Sequence, residues 1–342
     1  MSLNPPSSDP PAPSVPVAVV VVAILVVCGL TVTATAAYFE LKPTSASPGT
    51  VTVTDDLGRT VAVPADPTRV AVLSPSITDS MVDLGLRDRI VAVDCYAGAF
   101  GGLTADYTAS QIAQWNLTSS MCVQAAPQLS IEQLLNATPD LVLVSTIVSE
   151  SAIEEVSTTY HLPVLVLQPS TLGGIIVDVE LLAQVFHVGA PAESLVAALQ
   201  THLAQAASVG ANLSANGTAL PTVMLTYYAD SAGYWTYGPG TFGDSLISLV
   251  SAVSISAGQT LPYPEMSGPQ VLVANPWGII YAVGFGVNLT IFQQAPYWSS
   301  LSAVGADRVW GMDSTLLTEA DPTMILEGIP QLLGLLHPTA VG

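Results

Sequence analysis

The chain has 342 residues, of which 50% are hydrophobic and only 9% are charged, and its formal net charge is −20. The imbalance reflects missing bases, because 26 acidic residues stand against 6 lysines and arginines. With so few bases no patch can neutralise phosphates, and we expect no nucleic-acid partner. The length suffices for two ordinary domains, or one large one, with a sizeable core.

The amino terminus carries a candidate membrane segment. Residues 1–16 are rich in proline and serine and are expected to be a disordered tail. Residues 17–39 form an apolar, uncharged segment that is long enough for a transmembrane helix. Two interpretations stay open: an uncleaved membrane anchor, which we favour, or a secretory signal cleaved after Ala34-Thr35-Ala36. Both place the rest of the chain outside the cytoplasm.

Cysteines and glycosylation motifs suit that location. Cys28 lies inside the apolar segment and is expected to be a buried residue rather than a lipid-anchored one. Cys95 and Cys122 form either one disulfide or two buried thiols, and both alternatives stay open. An extracytoplasmic glycoprotein would use asparagines in Asn-x-Ser/Thr motifs. The candidates are Asn116, Asn136, Asn212, Asn216 and Asn288.

After a linker at residues 40–50, apolar strands alternate with helices over residues 51–169, which we expect to form an amino-terminal lobe. Continuous apolar strands are typical of a parallel sheet covered on both faces. The predicted strands are 51–54, 59–63, 69–73, 90–93, 141–144 and 164–167, and the predicted helices are 77–84, 131–135 and 149–160.

A long helical pattern follows, and then a second α/β pattern. Residues 170–212 are predicted to form one long connecting helix, kinked at Gly189-Ala190-Pro191. Residues 213–342 are predicted to form a carboxy-terminal lobe. Its predicted strands are 222–226, 278–282 and 308–310, and its predicted helices are 241–250, 268–273 and 322–336. The expected fold is α/β, with two Rossmann-like lobes joined by one long helix and preceded by the transmembrane helix.

Several short segments, in this order and spacing, resemble one family, the helical-backbone (class III) substrate-binding proteins of ABC importers for vitamin B12, ferric siderophores and haem. The matching segments are 54–61, 67–79, 84–93, 130–143 and 298–310. The resemblance implies two Rossmann-like lobes joined by a long helix, and capture of a cobalamin or ferric-siderophore-type chelate in the cleft between them. It also implies delivery to an ABC permease with its ATPase, with no enzymatic activity and no cofactor.

The resemblance places aromatic residues in the cleft. The candidate ligand-binding residues are Tyr96, Tyr227, Tyr263, Trp235 and Trp277. Rigid aromatic walls suit a broad, flat chelate because they lose little entropy on binding.

The ligand is expected to be neutral or cationic, since the carboxy-terminal lobe has Arg308 as its only base. Cobalamin therefore ranks ahead of hydroxamate siderophores, and both rank ahead of haem and carboxylate chelates.

In this family one surface carboxylate in each lobe docks onto the permease. Glu132 in Ser130-Ile-Glu-Gln matches the first position, and it also suits a helix amino terminus. Pro269 occupies the second position, which puts docking of that lobe in doubt, and Glu265 is the candidate substitute.

Two other function classes stay open: an extracellular enzyme on the same frame, and a surface protein that has lost transport. The segment Gly238–Gly243 satisfies G-x-G-x-x-G, but Pro239 removes an amide donor and the expected acidic residue about 20 positions later is missing. A dinucleotide site is therefore disfavoured. The sequence pI of about 4.1 suggests the further hypothesis of an acidic habitat.

Overall fold

Two β-sheets covered by helices make up most of the described chain, and the predicted α/β class is confirmed. The computed structural model describes residues 49–95, 103, 107–284 and 287–340. The predicted transmembrane segment 17–39 lies outside these residues. Among the helices that are described, none combines the length and apolar character needed to cross a membrane.

The described chain opens with an antiparallel hairpin of β1 (Thr50–Thr54) and β2 (Thr60–Pro64). Asp55 closes the turn, because its carboxylate accepts hydrogen bonds from the backbone N–H groups of Leu57 and Arg59 at 3.2 and 2.9 Å. The Asp56 N–H donates to the carbonyl oxygen of Val166 at 3.1 Å. The hairpin is thereby attached to the first sheet.

The first sheet is fully parallel, with strand order β5-β4-β3-β6-β7. Every residue of β3 and β6 is buried, as expected for Val- and Leu-rich strands covered on both faces. The strands are β3 (Val70–Leu73), β4 (Ile90–Asp94), β5 (Cys122–Val123), β6 (Leu141–Val144) and β7 (Val164–Val166). The helices between them are α1 (Pro75–Asp83), α2 (Ala109–Gln114), α3 (Ile131–Asn136) and α4 (Glu150–Thr158).

The prediction of one long helix over residues 170–212 is wrong, because two helices occupy this segment. They are α5 (Leu172–Phe186) and α6 (Gly189–Ala215). Helix α5 ends at His187, whose φ of 55° is left-handed. Pro191 lies in the first turn of α6, where an N–H group has no acceptor within the helix, so its missing N–H costs no hydrogen bond. In one continuous helix, residue 191 would have to donate an N–H to the His187 carbonyl oxygen, which proline cannot do.

The second sheet has the order β11-β9-β8-β12-β13, with β10 also paired to β8. Strands β8, β12 and β13 are parallel, whereas β9 and β11 are antiparallel additions at one edge. The strands are β8 (Thr222–Ala229), β9 (Gly233–Thr236), β10 (Val253–Ser254), β11 (Glu265–Ser267), β12 (Gly278–Val283) and β13 (Val309–Asp313). The helices are α7 (Phe242–Leu249), α8 (Gly268–Ala274), α9 (Leu289–Gln293), α10 (Ser302–Gly305), α11 (Thr315–Thr318) and, after a π-helical turn at Met324–Gly328, α12 (Ile329–Leu336).

One hydrophobic core runs through both sheets and the connecting helices. It contains Val72 of the first sheet, Leu182 of α5, Leu199 of α6 and Leu225 of the second sheet, all buried. Two smaller clusters cover the outer sheet faces, one of them including Val142. The shared core joins the two sheets and the connecting helices in one packed unit.

Candidate functional site

Three tyrosine rings of the second sheet form one cluster. The ring centroids of Tyr227 and Tyr237 lie 5.2 Å apart, those of Tyr237 and Tyr263 lie 5.9 Å apart, and those of Tyr227 and Tyr263 lie 6.5 Å apart. All three contacts are edge-to-face, the geometry that the aromatic quadrupole favours. The structure therefore brings together two of the predicted binding residues, Tyr227 and Tyr263, around a third tyrosine.

A β-bulge sets the direction of Tyr227. In the pairing of β8 with β9, Thr226 lies opposite Thr236 and Tyr228 lies opposite Trp235, so Tyr227 has no partner of its own. The Thr226 hydroxyl group donates within the bulge, to the carbonyl oxygens of Tyr228 at 3.0 Å and Trp235 at 2.8 Å. Bulges re-aim side chains near binding sites.

Tyr237 is the buried base of the cluster. Its ring also packs against Phe242, with centroids 5.3 Å apart. Gly243 allows this packing, because an added Cβ would overlap the Tyr237 ring. The Ser256 hydroxyl group donates to the Tyr237 carbonyl oxygen at 2.5 Å, which fixes the backbone at this residue.

The loop that carries Tyr263 is held against the end of β9. The Gly238 N–H donates to the Pro262 carbonyl oxygen at 2.7 Å, and the Thr236 N–H donates to the Pro264 carbonyl oxygen at 3.0 Å. Gly238 needs to be glycine here, because an added Cβ would overlap the carbonyl oxygen of Leu261. Two glycines of the G-x-G-x-x-G segment are thus explained by packing around the tyrosine cluster.

The cluster is accessible on one side and uncharged. Tyr263 is 50% exposed, Tyr227 is partly buried and Tyr237 is buried. Burial raises the pKa of Tyr237 well above its ordinary value, and burial together with Tyr263 raises the pKa of Tyr227. The phenols of Tyr227 and Tyr237 therefore stay protonated at neutral pH.

In the first sheet, the order of the strands reverses between β3 and β6, and ligands of open α/β sheets bind outside the carboxyl ends at such a point. Ser74 and Ser145 follow the two strand ends, which pair as Leu73 with Val144. The Ser74 and Ser76 hydroxyl groups lie 2.9 Å apart at the beginning of α1. This edge is therefore lined by small hydroxyl side chains.

A disulfide joins Cys95, after β4, to Cys122, which begins β5. Of the two alternatives that the sequence leaves open, the structure contains the bonded one. Asp94 braces the same strand end, since its carboxylate accepts the Ala125 N–H at 3.1 Å. The predicted ligand residue Tyr96 follows Cys95 directly and lies outside the described residues.

The two predicted tryptophans lie in different places. Trp235 belongs to β9, and the alternation of side chains puts it on the same face as Tyr237. Trp277 precedes β12, at the amino end of the strand, where its ring packs on Trp310 with centroids 5.9 Å apart. The Arg308 guanidinium carbon lies 4.8 Å from the Trp277 centroid. The structure does not bring Trp277 together with the tyrosines.

Every arginine of the chain is engaged away from the tyrosine cluster. Arg59 forms an ion pair with Asp55, and Arg89 pairs with Asp66 at 3.1 Å. The remaining three donate to carbonyl oxygens: Arg69 to Ala137 and Thr138, Arg87 to Trp115 and Asn116, and Arg308 to Trp277. In the described part of the chain, the tyrosines therefore have no cation beside them.

The predicted docking carboxylates are both exposed. Glu132 lies in the first turn of α3, and Glu265 lies on the edge strand β11. Pro269 lies in the first turn of α8, where proline is tolerated because the N–H groups of that turn have no acceptor within the helix. The five predicted glycosylation asparagines are exposed too, as attachment of a glycan requires.

Two histidines of the described residues bond to main-chain carbonyl oxygens. His337 is buried and bonds to the Val250 carbonyl oxygen at 2.8 Å, and His202 bonds to the Ala198 carbonyl oxygen at 3.0 Å. The ion pairs in the described ranges involve arginine only, and those ranges hold no group of three or more His, Cys, Asp or Glu residues suited to a metal.

Sequence reasoning did not identify Tyr237 as part of the cluster. The available signal was its position between Trp235 and Gly238, at the end of an aromatic strand. From sequence alone, a buried tyrosine at a binding site looks the same as a tyrosine of the hydrophobic core, because the loop that packs over it is not known.

Comparison with known proteins gives a consistent result. The chain matches the periplasmic binding protein family over residues 70–316. It is 23% identical to the ABC transporter substrate-binding lipoprotein YvrC of Bacillus subtilis, over 84% of this chain and 86% of that protein.

Solved structures of the same fold bind different ligands. The molybdate-binding protein MolA of Haemophilus influenzae superimposes with a TM-score of 0.68 at 19% identity, covering 84% of this chain and 92% of that one. The vitamin B12-binding protein BtuF of Vibrio cholerae superimposes with a TM-score of 0.59 at 22% identity, covering 79% and 96%. At these identities the likeness establishes the fold and leaves the ligand open.

Proposed function

Since the chain belongs to the periplasmic binding protein family, we propose that it is the substrate-binding protein of an ABC importer for a neutral or cationic metal chelate. The observation that carries the choice of ligand is the tyrosine cluster without a neighbouring base. Tyr227 and Tyr263 present aromatic surface, and the arginines are occupied elsewhere. An anion would be left without a charged partner in such a cleft.

Cobalamin is the ligand we place first, because it is broad and carries no large negative charge. A neutral ferric hydroxamate comes second. Haem, with its two propionates, and molybdate, a dianion, fit poorly because each would lose hydration without gaining a cation. Tyr96 is kept as a proposed contact from the first lobe, together with Trp235 from the second.

Isothermal titration with one representative of each class tests this proposal. Cyanocobalamin and a neutral ferric hydroxamate represent the favoured ligands, and haem and molybdate represent the anions. We expect binding of a favoured ligand in the micromolar range or tighter, and heats of dilution only with the anions. Tight binding of molybdate or haem with no response to the corrinoid would contradict the ligand assignment.

Delivery would require an ABC permease with its ATPase, as the similarity to an ABC transporter substrate-binding lipoprotein suggests. We propose Glu132 as the docking carboxylate of the first lobe and Glu265 as that of the second. A protein that binds the chelate but supports no uptake with any co-encoded permease would favour the alternative, a surface protein that has lost transport.

We place the binding domain outside the cytoplasm and tethered to the membrane by its amino-terminal segment. The apolar residues 17–39 and the lipoprotein relative support this location. Mass spectrometry of the membrane-bound protein distinguishes the forms of the tether. An intact amino terminus indicates an anchor, a start after Ala36 indicates a cleaved signal, and a lipid-modified Cys28 as first residue indicates a lipoprotein.

A further inference from the structure

A single hydrogen bond joins two elements that are far apart in sequence and that follow different sheets. The Thr323 hydroxyl group donates to Asp79 Oδ2 at 2.7 Å. Asp79 lies in α1, directly after the carboxyl end of β3, and Thr323 lies beyond α11, after the carboxyl end of β13. The bond therefore spans the two lobes.

A second buried carboxyl group stands on the other side of this contact. Asp321 Oδ1 accepts the Met324 N–H at 2.9 Å, which closes the beginning of the π-helical turn. Asp79 and Asp321 are both almost fully buried. The charge of Asp79 is one of the causes that raise the pKa of Asp321.

The same two elements face each other again one helical turn further on. Asp83 follows Asp79 on α1, and Glu327 follows Thr323 on the carboxy-terminal segment; both are exposed at the rim. Partial burial and Glu327 raise the pKa of Asp83 to about 6. The contact between α1 and residues 321–328 is thus lined by acids on both sides.

Among the described residues, no base lies beside these acids. The charged groups that act on Asp79 are Asp83 and Glu327, and those that act on Asp321 are Asp79, Glu319 and Asp83. Burial, with these charges, raises the pKa of Asp79 to about 7 and that of Asp321 well above its ordinary value. In the described structure, the arginines all bond elsewhere.

We propose that the contact between α1 and residues 321–328 is a proton-dependent clamp between the lobes, closed while Asp79 or Asp321 carries a proton and loosened when both are ionised. A protonated carboxyl group is neutral and can remain buried. Two carboxylates without a cation repel each other and must regain water. The proton leaves to solvent when the clamp opens and is taken up from solvent when it closes. The clamp concerns the contact between lobes and holds whichever ligand the cleft takes.

Hydrogen exchange of the intact protein, followed by mass spectrometry from pH 5 to 8, tests the clamp. Rates in segments 75–83 and 321–336 are corrected for intrinsic chemistry and compared with β6. We expect the opening of both segments to increase up to about tenfold per pH unit above pH 7, as the loss of one proton requires, with no change in β6. In Asp79→Asn and Asp321→Asn the pH dependence should shrink or vanish, since an amide cannot ionise.

A matched control separates the clamp from general acid sensitivity. Asp178→Asn removes another buried carboxyl group with a raised pKa, one that contacts Asp56 in the hairpin instead. This variant should keep the wild-type pH dependence in both segments. A wild-type opening that does not vary with pH, or a pH dependence that Asp178→Asn abolishes as fully as Asp79→Asn does, would overturn the proposal. If Asp79→Asn does not fold, Asp83→Asn at the rim should show a reduced dependence.

Discussion

Glu132 and Pro269 occupy the same position in two equivalent helices, one in each lobe. Each is the second residue after a serine N-cap in a Ser-x-x-Gln sequence, beginning at Ser130 in α3 and at Ser267 in α8. Gln270 completes the capping box in α8 by accepting the Ser267 N–H at 2.8 Å. One lobe thus presents a carboxylate where the other presents an uncharged ring, so an acidic docking contact at this position can come only from the first lobe.

Replacing Glu132 by glutamine should reduce uptake and leave ligand binding unchanged. The side chain is exposed at the beginning of α3, so its loss removes a charge without disturbing the core. A close charge pair across a protein interface contributes about 1.5 kcal/mol or more, so its loss should make the complex with the permease at least about tenfold weaker. Uptake of labelled cobalamin and its dissociation constant are measured for the same variants. Glu154→Gln, on the exposed face of α4, is the matched control, and equal uptake in the two variants would remove Glu132 from the docking site.

Truncating Tyr263 should weaken ligand binding with little effect on stability. The ring is half exposed and covers the edge of the cluster formed with Tyr227 and Tyr237. Loss of an aromatic contact with a ligand amounts to about 1–2 kcal/mol, so Tyr263→Ala should raise the dissociation constant roughly tenfold. Tyr160→Ala removes an exposed tyrosine that follows α4 and should bind as the wild type does. Unchanged binding in both variants would show that the cluster is not part of the ligand site.

Alanine at Gly238 should destabilise the protein and displace the loop that carries Tyr263. The added Cβ overlaps the Leu261 carbonyl oxygen, so the hydrogen bond from Gly238 to Pro262 must lengthen or break. We expect a loss of about 1–3 kcal/mol in the free energy of unfolding, measured by urea denaturation, together with weaker ligand binding. Gly258→Ala has open space around the new Cβ and should be nearly neutral. Equal effects of the two substitutions would contradict the packing argument.

Stability should fall as the pH rises, in part through Asp178. Burial, with the nearby charge of Asp56, raises the pKa of Asp178 to about 8. Between the ordinary pKa of 3.8 and this value the folded protein holds a proton that the unfolded chain releases. Unfolding therefore releases a proton, and this contribution to stability declines by up to about 1.4 kcal/mol per pH unit.

The Asp178→Asn variant isolates this contribution. Asparagine cannot ionise, and its amide group can still donate to Asp56. Measured by urea denaturation at pH 5 and pH 7, the stability of the variant relative to the wild type should rise with pH. A difference that stays constant over this range would show that Asp178 is ionised in the folded protein.

The sequence was sufficient for the fold class and for most of the regular elements. Strands β3 and β6 are continuous apolar runs, and helix α4 begins at a serine N-cap, so local pattern and tertiary structure agree there. A kink was predicted at Gly189-Ala190-Pro191, but the end of α5 at His187 was missed because the apolar stripe continues on both sides of it. The periodicity of apolar residues predicts which face of a helix is buried, but not whether the backbone between two buried turns remains helical.

The site was less accessible to sequence reasoning because its parts meet only after folding. Tyr227, Tyr263 and Trp277 were all proposed from the resemblance to the family, but Trp277 lies at the amino end of β12, away from the two tyrosines. The contact between Asp79 and Thr323 has no local pattern at all, since 244 positions separate the two residues. The local periodicity of a sequence cannot predict a contact between residues so far apart.

Each arginine of the chain donates to at least one main-chain carbonyl oxygen, including Arg59 to Val164 at 3.1 Å and Arg89 to Pro67 at 2.9 Å. A guanidinium group keeps its charge throughout the range in which proteins fold, and a peptide carbonyl oxygen neither gains nor loses a proton there. The strength of these hydrogen bonds therefore does not depend on pH. Acidification protonates carboxyl groups and so changes the net charge of the protein. The hydrogen bonds from the arginines to main-chain carbonyl oxygens are kept over the same pH range.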